Sequence, residues 1–385
     1  MGLNDEIFLK NERQVSLYDR AKRICEQVEQ HAQTADQQAR FLDQTLKILK
    51  RYGYLSIVLP EQYGGEDLSL YEWLFMQEKI AEGDGATALS VGWHLGLLME
   101  IKTEGIWSNP VYEAIAEEAS NQKLFNRAST ERNTGSPTRG GQPETTAVFK
   151  DNHYIINGRK TFTTMAEKLD YALVSAYVPD TEEVAWFLVD LLKEGISIDH
   201  TWDTLGMRGT GSDDLVLDEV LVSKDRYVEP VSGKKMPKAW LLHIPACYLG
   251  IAQAALKEAV SFAQQFQPNS LNHPIAKTHQ VRQKLGEMGL LLMRSRHLLY
   301  DLAQRFDDDL EKRSLLANEL AMVKVSITND AERVVDLAMR IAGGRGLSKT
   351  YNFERYYRDV RAGLHNPPLD DLVYEQLASS ALGEK

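Results

Sequence analysis

The sequence is poor in cysteine, in basic surface and in long apolar runs. Its 385 residues include only two cysteines, Cys25 and Cys247, which stand far apart without a CxxC motif or a cluster of histidines. A disulfide framework and a structural zinc site are therefore disfavoured. The net charge of −11 is spread along the chain and leaves no basic face of the kind that binds nucleic acid. We expect neither a metal site nor a nucleic-acid partner.

The N-terminal sequence MGLNDEIFLKNERQ mixes acids with bases and lacks an apolar core. Such a sequence is typical of neither a signal peptide nor a transit peptide. No run of residues is as long and as apolar as a membrane helix requires. We therefore expect a cytoplasmic protein that does not insert into a membrane.

The sequence also lacks a GxGxxG motif after a strand, and its elements run from helical to stranded and back to helical. That order disfavours a doubly wound Rossmann sheet. Apolar residues recur every three or four positions in 17–51 and 71–104, and again in three long stretches between 239 and 343. Between these regions lie short runs rich in Val, Ile, Tyr, Phe and Thr, separated by Gly, Asn and Asp. We predict an α+β fold with a helical domain at 1–123, a β domain at 124–235 and a helical bundle at 236–385.

Two hydroxyl-rich segments in the β region are candidates for binding a polar ligand. The segment STERNTGS, residues 129–136, holds hydroxyls, a carboxylate and a glycine, which suit either a cofactor-binding loop or a plain surface turn. The segment NGRKTFTT places an Asn-Gly turn before a predicted strand that carries Phe162 and Thr164. Residues two apart on a strand share a face, so this pair predicts a ring that stacks and a hydroxyl that hydrogen-bonds.

Two glycine-rich segments are less specific. TLGMRGTGSDDLVLDEVLV, residues 204–222, is a glycine-dense loop that runs into a strand, but no Lys-Ser/Thr pair follows it as in a phosphate loop. RIAGGRGL, residues 340–347, places three glycines just past a long helix. These glycines form either a helix C-cap or a site where the backbone approaches a pyrophosphate closely.

Taken in order, the segments LPEQYGG, STERNTGS, INGRKTFTT, LGMRGTGSDDLVLDEVLV, LGIAQAAL, AGGRGL and ERYYRDVRAG resemble the acyl-CoA dehydrogenase family of FAD-dependent flavoproteins. The resemblance implies an N-terminal helical domain, a central β-barrel-like domain and a C-terminal four-helix bundle. It also implies a homotetramer built as a dimer of dimers, with FAD held between subunits. The implied reaction is α,β-dehydrogenation of an acyl-CoA thioester, with electrons passed to an electron-transfer flavoprotein.

The resemblance assigns five cofactor-binding residues in the β region. Thr130 matches a threonine at the pyrimidine edge of the flavin, and Gly135 and Ser136 match a pair near the FAD pyrophosphate. Phe162 matches an aromatic residue packed against the flavin ring, and Thr164 matches a hydroxyl that hydrogen-bonds the flavin near N5.

Two further glycines are assigned to a second subunit's cofactor. Gly343 and Gly344 match a pair that approaches the ADP portion of FAD in a neighbouring subunit. Arg340 replaces the family's glutamine before them, and Asn269 replaces an arginine of another FAD-contacting segment. A cationic Arg340 still suits a pyrophosphate.

The catalytic base departs from the family pattern. Dehydrogenation needs a carboxylate that removes the α-proton, and the family draws this glutamate from one of two positions. Those positions hold Pro367 and Trp240 here, and Leu241 replaces an arginine beside the second. The ionisable residue nearest the lost glutamate is His365, in the segment LHNPP.

Three functions remain open at this point. The first is an acyl-CoA dehydrogenase. The second is a reduced-flavin-dependent monooxygenase of the same fold, whose active-site segment is similar to LHNPP; here His365 acts as acid or base and a flavin reductase supplies the cofactor. The third is a non-catalytic flavin- or acyl-CoA-binding protein. His94, on an apolar helix face, is interpreted as a core histidine with satisfied ring nitrogens.

Overall fold

The computed structural model describes residues 5–107, 109–136, 140–231 and 237–384. The helices in these residues are α1 (Glu12–Gln38), α2 (Asp43–Arg51), α3 (Leu70–Gly83), α4 (Gly85–Glu104), α5 (Pro110–Ser120), α6 (His243–Gln265), α7 (His279–Asp308), α8 (Ala317–Ala342), α9 (Phe353–Val360) and α10 (Asp370–Leu382). The strands are β1 (Phe125–Ala128), β2 (Thr146–Lys150), β3 (His153–Lys160), β4 (Tyr171–Val178), β5 (Glu183–Asp190), β6 (Ile196–Asp199), β7 (Asp214–Ser223) and β8 (Tyr227–Pro230). The predicted helical, stranded and helical order is confirmed.

Local signals in the sequence set the ends of the N-terminal helices. Ser69 caps α3 through a capping box: its hydroxyl accepts from the Glu72 amide at 3.2 Å, and the Glu72 carboxylate accepts from the Ser69 amide at 3.3 Å. Asp84 is the C-cap of α3 and the N-cap of α4, and Gly105, whose φ is 67°, is the C-cap of α4. Nearly every residue of α3 and α4 is buried, so these helices form the centre of the N-terminal region.

The β region is one sheet with the order β6-β7-β3-β2-β4-β5-β8, and β1 pairs in parallel with β4. Most of the pairs are antiparallel, and β4 and β5 are in register over eight residues each. A separate apolar core fills the inside of the sheet, built from residues such as Ile156, Val174 and Phe187. The short strands β1 and β8 were not foreseen from the sequence.

The prediction that Asn157 and Gly158 form a turn before a strand bearing Phe162 and Thr164 is wrong. Strand β3 runs through both residues with a bulge in its pairing to β7, and it ends at Lys160. A side chain at Gly158 would overlap Thr145, so the glycine permits a close approach of two backbones. Phe162 and Thr164 lie in the loop after β3; the first is exposed and the second is buried.

The three long helices α6, α7 and α8 pack on one another, and α6 and α7 also pack on α3. Among the described residues, one helical stretch, Ala239–Gln265, is long and apolar enough to cross a membrane, so the expectation that no such run exists is wrong. The most apolar part of that stretch is 94% buried inside the protein. Its apolar surface is therefore used for packing, as in a central core helix.

The charged segment RYYRDVR around α9 is part of the packed structure. Arg355 and Asp359 are buried, and Arg358 donates to Asp36 at 2.7 Å and to Glu354 at 2.8 Å. The pair with Asp36 ties α9 to the end of α1, and the pair with Glu354 lies within α9. The charges of this segment thus stabilise the local fold.

Candidate active site

A cavity of about 390 Å³ opens beside the end of β3. Its volume lies in the range of small-molecule sites. Three chain segments supply its walls, with the lining residues Glu131, Arg132, Thr161, Phe162, Thr201, Trp202, Thr204 and Ser212. The predicted residues Thr130, Phe162 and Thr164 belong to, or directly adjoin, these segments.

The loop that carries Thr130, Gly135 and Ser136 is a tight backbone turn. Glu131 and Gly135 exchange two backbone hydrogen bonds of 2.9 and 3.0 Å, and Gly135 has a φ of 71° that favours glycine. The carbonyl of Thr130 accepts from the Thr161 amide at 2.8 Å. The loop is thereby joined to the segment that carries Phe162.

The buried carboxylate of Glu131 holds this loop from inside. It accepts from Lys160 Nζ at 2.7 Å, from Thr145 Oγ1 at 2.6 Å, from Thr134 Oγ1 at 2.8 Å and from the amides of Glu144 and Thr145. Burial alone raises its pKa, but the hydrogen bonds from Lys160 and Thr145 outweigh burial and hold the pKa at about 2. Glu131 is the only carboxylate among the described lining residues, and with these partners it cannot serve as a base.

Phe162 presents an aromatic ring to the cavity. The residue adopts a left-handed backbone conformation, with a φ of 56°, and its side chain is 59% exposed. Its ring meets Trp202 edge to face, with 5.9 Å between the ring centroids. An exposed aromatic face at a cavity wall fits the stacking of a planar ring system.

Thr164 lies behind Phe162 and is buried. Its Oγ1 is 3.0 Å from Ser212 Oγ, and Ser212 Oγ is 2.8 Å from Thr210 Oγ1. Ser212 itself lines the cavity. The glycine-dense loop at 204–213 therefore supplies the hydroxyls next to Thr164, a role that its sequence did not reveal.

The same loop is joined to α9. The Asp359 carboxylate accepts from the Met207 amide at 2.6 Å, and a side chain at Gly206 would overlap the Arg358 backbone. Burial raises the pKa of Asp359 to about 7, and the neighbouring Arg355 only partly opposes this shift. The C-terminal segment thus fixes one wall of the cavity.

His365 lies in the 3₁₀ turn Arg361–His365 that follows α9. Its imidazole is exposed and makes no hydrogen bond to a residue that the structure describes. It is not among the residues lining the cavity. The next residue, Asn366, accepts a hydrogen bond from Tyr248 at 2.5 Å, which anchors the turn.

The second expected glutamate position, Trp240, is part of a buried aromatic cluster that sequence analysis missed. The Trp240 ring stacks on His243 with 6.0 Å between centroids, and Trp73 and Trp93 complete the surroundings of this histidine. Burial lowers the pKa of His243 to about 3. The cluster offers no carboxylate.

Gly343 and Gly344 lie on the surface just past α8. Gly343 has a φ of 59°, and a side chain at either glycine would meet open space. Arg340 donates to Asp336 at 2.8 Å. The glycine pair is not part of the cavity wall in its own chain.

The interpretation of His94 as a satisfied core histidine is confirmed. Its Nε2–H donates to the Leu55 carbonyl at 2.8 Å, and its Nδ1 accepts from the Phe125 amide at 3.1 Å. The ring is fully buried, and burial lowers its pKa to about 4. Both ring nitrogens are used in the neutral form, so His94 serves the fold.

The depressed pKa of His94 makes stability depend on pH. The pKa of the imidazole in the unfolded chain is near 6.5. Between that pH and about pH 4, the unfolded chain therefore binds a proton that the folded chain does not bind. The stability that His94 contributes is complete above about pH 6.5, and up to about 3 kcal/mol is lost as the pH falls to 4. Urea titrations at several pH values should show a smaller loss for His94→Asn; an equal loss would contradict this assignment.

Models of the acyl-CoA dehydrogenase family match the chain in three parts: the N-terminal domain over residues 11–105, the middle domain over 126–220 and the C-terminal domain over 242–364. A putative acyl-CoA dehydrogenase of Bacillus subtilis (strain 168) is 46% identical over 97% of this chain and 99% of its own. The CarC subunit of the caffeyl-CoA reductase-Etf complex of Acetobacterium woodii (strain ATCC 29683 / DSM 1030 / JCM 2381 / KCTC 1655 / WB1) is 26% identical over 85% of this chain and 86% of its own. The solved structure of butyryl-CoA dehydrogenase from Megasphaera elsdenii superposes with a TM-score of 0.84 at 22% identity, covering 99% of this chain and 100% of the other. The chain therefore belongs to the acyl-CoA dehydrogenase family of flavin-dependent oxidoreductases.

Proposed function

We propose that the protein is an FAD-dependent dehydrogenase that forms an α,β double bond in an acyl-CoA thioester. The family match along the chain, together with the cavity flanked by Phe162 and Thr164, is the observation that carries this proposal. We further propose an electron-transfer flavoprotein as the electron acceptor. The name of the Acetobacterium woodii relative, a subunit of a complex with Etf, supports that choice.

The cavity wall fits a flavin. Phe162 supplies an exposed aromatic face beside the cavity. The resemblance assigns Thr130 and Thr164 to the polar edge of the flavin, and Gly135 and Ser136 to its pyrophosphate. FAD supplies the acceptor for the hydride that leaves the substrate. The protein positions the substrate against it and removes the proton.

We propose that the protein works in the cytoplasm as a homotetramer. Gly343 and Gly344 are exposed and lie outside the cavity of their own chain, which supports a role toward the FAD of a neighbouring subunit. Leu290 and Met293 on α7 are 65% and 49% exposed, and such apolar residues are often covered in oligomers. Sedimentation analysis measures the oligomeric state directly.

A second candidate function is a monooxygenase that uses reduced flavin from a reductase. The absence of a carboxylate at Pro367 and Trp240, with Glu131 held by hydrogen-bond donors, favours it. His365 is the proposed acid or base in either function, since an imidazole can both donate and accept a proton.

A spectroscopic experiment separates these functions. Purified protein loaded with FAD is mixed with a panel of acyl-CoA thioesters without oxygen, and the visible absorption band of the oxidised flavin is followed. Loss of the band supports dehydrogenation. If no thioester causes it, but chemically reduced flavin with oxygen oxygenates an aromatic or sulfur-containing substrate, the dehydrogenase proposal is wrong. A flavin that remains oxidised with every thioester, with no oxygenation in the second assay, points to a non-catalytic binding protein.

The variant His365→Ala tests the proposed proton transfer. We expect turnover to fall by about 10²-fold or more, which is the usual contribution of a general acid or base. His153→Ala is a matched control, because His153 is exposed at the start of β3 and has no proposed role. Unchanged turnover in His365→Ala would exclude the imidazole as the proton-transfer group.

A further inference from the structure

The wall of the cavity beside β3 presents a positive charge. Among the described residues that line it, only Glu131 and Arg132 are charged at neutral pH. The Glu131 carboxylate is neutralised from inside the protein by the buried Lys160, whose Nζ is 2.7 Å away. The side chain of Arg132, in contrast, is 69% exposed. The charge that a ligand meets in this cavity is therefore that of the Arg132 guanidinium.

The hydrogen-bond donors of Arg132 are not used by the protein. Its one ion pair with a residue that the structure describes joins Nη2 to Asp214 Oδ2 at 3.7 Å, which is too long for a hydrogen bond. Arg132 donates no hydrogen bond within the described part of the chain. A guanidinium carries five N–H donors, so a ligand can be bound without breaking an internal hydrogen bond.

The Asp214 carboxylate has other partners besides Arg132. Its Oδ1 accepts from Thr201 Oγ1 at 2.9 Å, and its Oδ2 is 3.3 Å from Arg159 Nη1. The Asp214 side chain is buried, whereas that of Arg132 is mostly exposed. Ion pairs with exposed partners contribute little to stability. An anion of the ligand can therefore replace Asp214 as the partner of Arg132 at a small cost.

The rest of the cavity wall is aromatic and hydroxylic. Phe162 and Trp202 meet edge to face, with 5.9 Å between the ring centroids, and threonine and serine residues supply the remaining lining. An aromatic face suits a planar ring, and a guanidinium with free donors suits an anionic group. The cavity thus fits a ligand that carries both.

We propose that Arg132 is the residue of this cavity that recognises a phosphate group of the bound ligand. A guanidinium offers two parallel N–H donors, which match two oxygens of a phosphate. Both ligands of the proposed function, FAD and an acyl-CoA thioester, carry phosphate groups, so the chemistry that Arg132 recognises is shared. This inference rests on the proposed function, and it makes Arg132 a binding residue whose effect is confined to ligands with phosphate.

The variant Arg132→Met tests the proposal through the binding of matched ligands. FMN and FAD are compared with riboflavin, and CoA is compared with pantetheine, because riboflavin and pantetheine lack phosphate. Quenching of flavin fluorescence measures flavin binding to flavin-free protein, and isothermal titration calorimetry measures CoA binding. We expect the affinity for the flavin phosphates or for CoA to fall by about tenfold or more, with the affinity for the phosphate-free counterpart unchanged. The ligand that shows the loss identifies the source of the phosphate.

Two further variants separate charge and geometry from general damage. Arg132→Lys keeps the charge but not the two parallel donors, and it is expected to recover part of the lost affinity. Arg23→Met is the matched control, because Arg23 is exposed on α1 and does not line the cavity. Added salt should weaken phosphate binding more in the wild type than in Arg132→Met, because salt screens the guanidinium. Circular dichroism and thermal melting confirm that each variant is folded.

The failure of this inference differs from the failure of the proposed function. Wild-type protein that binds neither flavin nor CoA would overturn the proposed function and the inference with it. Wild-type protein that binds FAD, together with an Arg132→Met variant that keeps its affinity for FMN, FAD and CoA, would overturn the role of Arg132 alone. An equal loss of affinity for the ligands with and without phosphate would also overturn that role.

Discussion

Lys160→Met is expected to lower the free energy of unfolding by about 3–5 kcal/mol, the usual cost of removing one partner of a buried ion pair. The Lys160 side chain is fully buried, with its Nζ 2.7 Å from Glu131 Oε1 and 3.2 Å from Ser175 Oγ. Methionine has a similar length and no charge, so the substitution leaves the Glu131 carboxylate in the interior without its cation. Urea denaturation at neutral pH measures the loss.

The effect of Lys160→Met should shrink in acid. In the wild type, the hydrogen bonds from Lys160 and Thr145 overcome the effect of burial and hold the Glu131 pKa at about 2, below the unfolded value of about 4.3. The stability from Glu131 is therefore present above about pH 4.3 and is lost as the pH falls toward 2. In the variant, an unpaired buried carboxylate takes up a proton more readily, so the difference between the two proteins narrows as the pH falls below about 5.

Lys168→Met is the matched control for the same chemical change. Lys168 pairs with Asp43 at 2.8 Å, but the Asp43 side chain is 65% exposed, and exposed pairs contribute at most about 1 kcal/mol. The double variant Glu131→Gln with Lys160→Met removes both charges and should recover part of the loss. A loss below about 1 kcal/mol for Lys160→Met would show that this pair does not stabilise the loop at Thr130.

Elements whose signals are local could be predicted from the sequence. The end of α8 just before Gly343, predicted from the three glycines past a long helix, is confirmed, because a glycine C-cap depends on residues within one turn. The capping box at Ser69 is an equally local signal, formed by residues three positions apart. The strand β4 likewise lies inside the β domain predicted at 124–235, in a run rich in Val and Tyr. The relative placement of Phe162 and Thr164 was wrong, because β3 ends at Lys160 and the backbone at Phe162 turns left-handed, which alternation along a strand does not reveal.

The internal partners of the site residues could not be predicted, because they are distant in sequence. Lys160 and Glu131 are 29 positions apart, and Thr164 and Ser212 are 48 apart. The sequence contains one indication of the aromatic cluster at His243, namely the two glycines at 92 and 96 in the middle of a predicted helix. A side chain at Gly92 would overlap His243, and one at Gly96 would overlap Trp240, so these glycines mark close packing against large rings.

Gly250→Ala is expected to destabilise the protein by about 3 kcal/mol, through overpacking between two helices. Gly250 lies in α6 where this helix crosses α3, and the added Cβ would overlap the Glu78 carbonyl oxygen and lie 2.6 Å from Ala81 Cβ. Backbone atoms cannot rotate away as a flexible side chain does. The helices must therefore separate, which loosens the packing around both of them.

Gly286→Ala is the same substitution, but we expect it to raise the free energy of unfolding. Gly286 lies in α7, where an added Cβ would meet open space, so only the helix propensity and the entropy of the unfolded chain change. Alanine is better than glycine in both respects, and a gain of about 0.5–1 kcal/mol is expected. Thermal and urea denaturation of both variants measure the two changes in stability. A loss below about 1 kcal/mol for Gly250→Ala would contradict the close crossing of α3 and α6, because a tight backbone contact leaves no room for a methyl group.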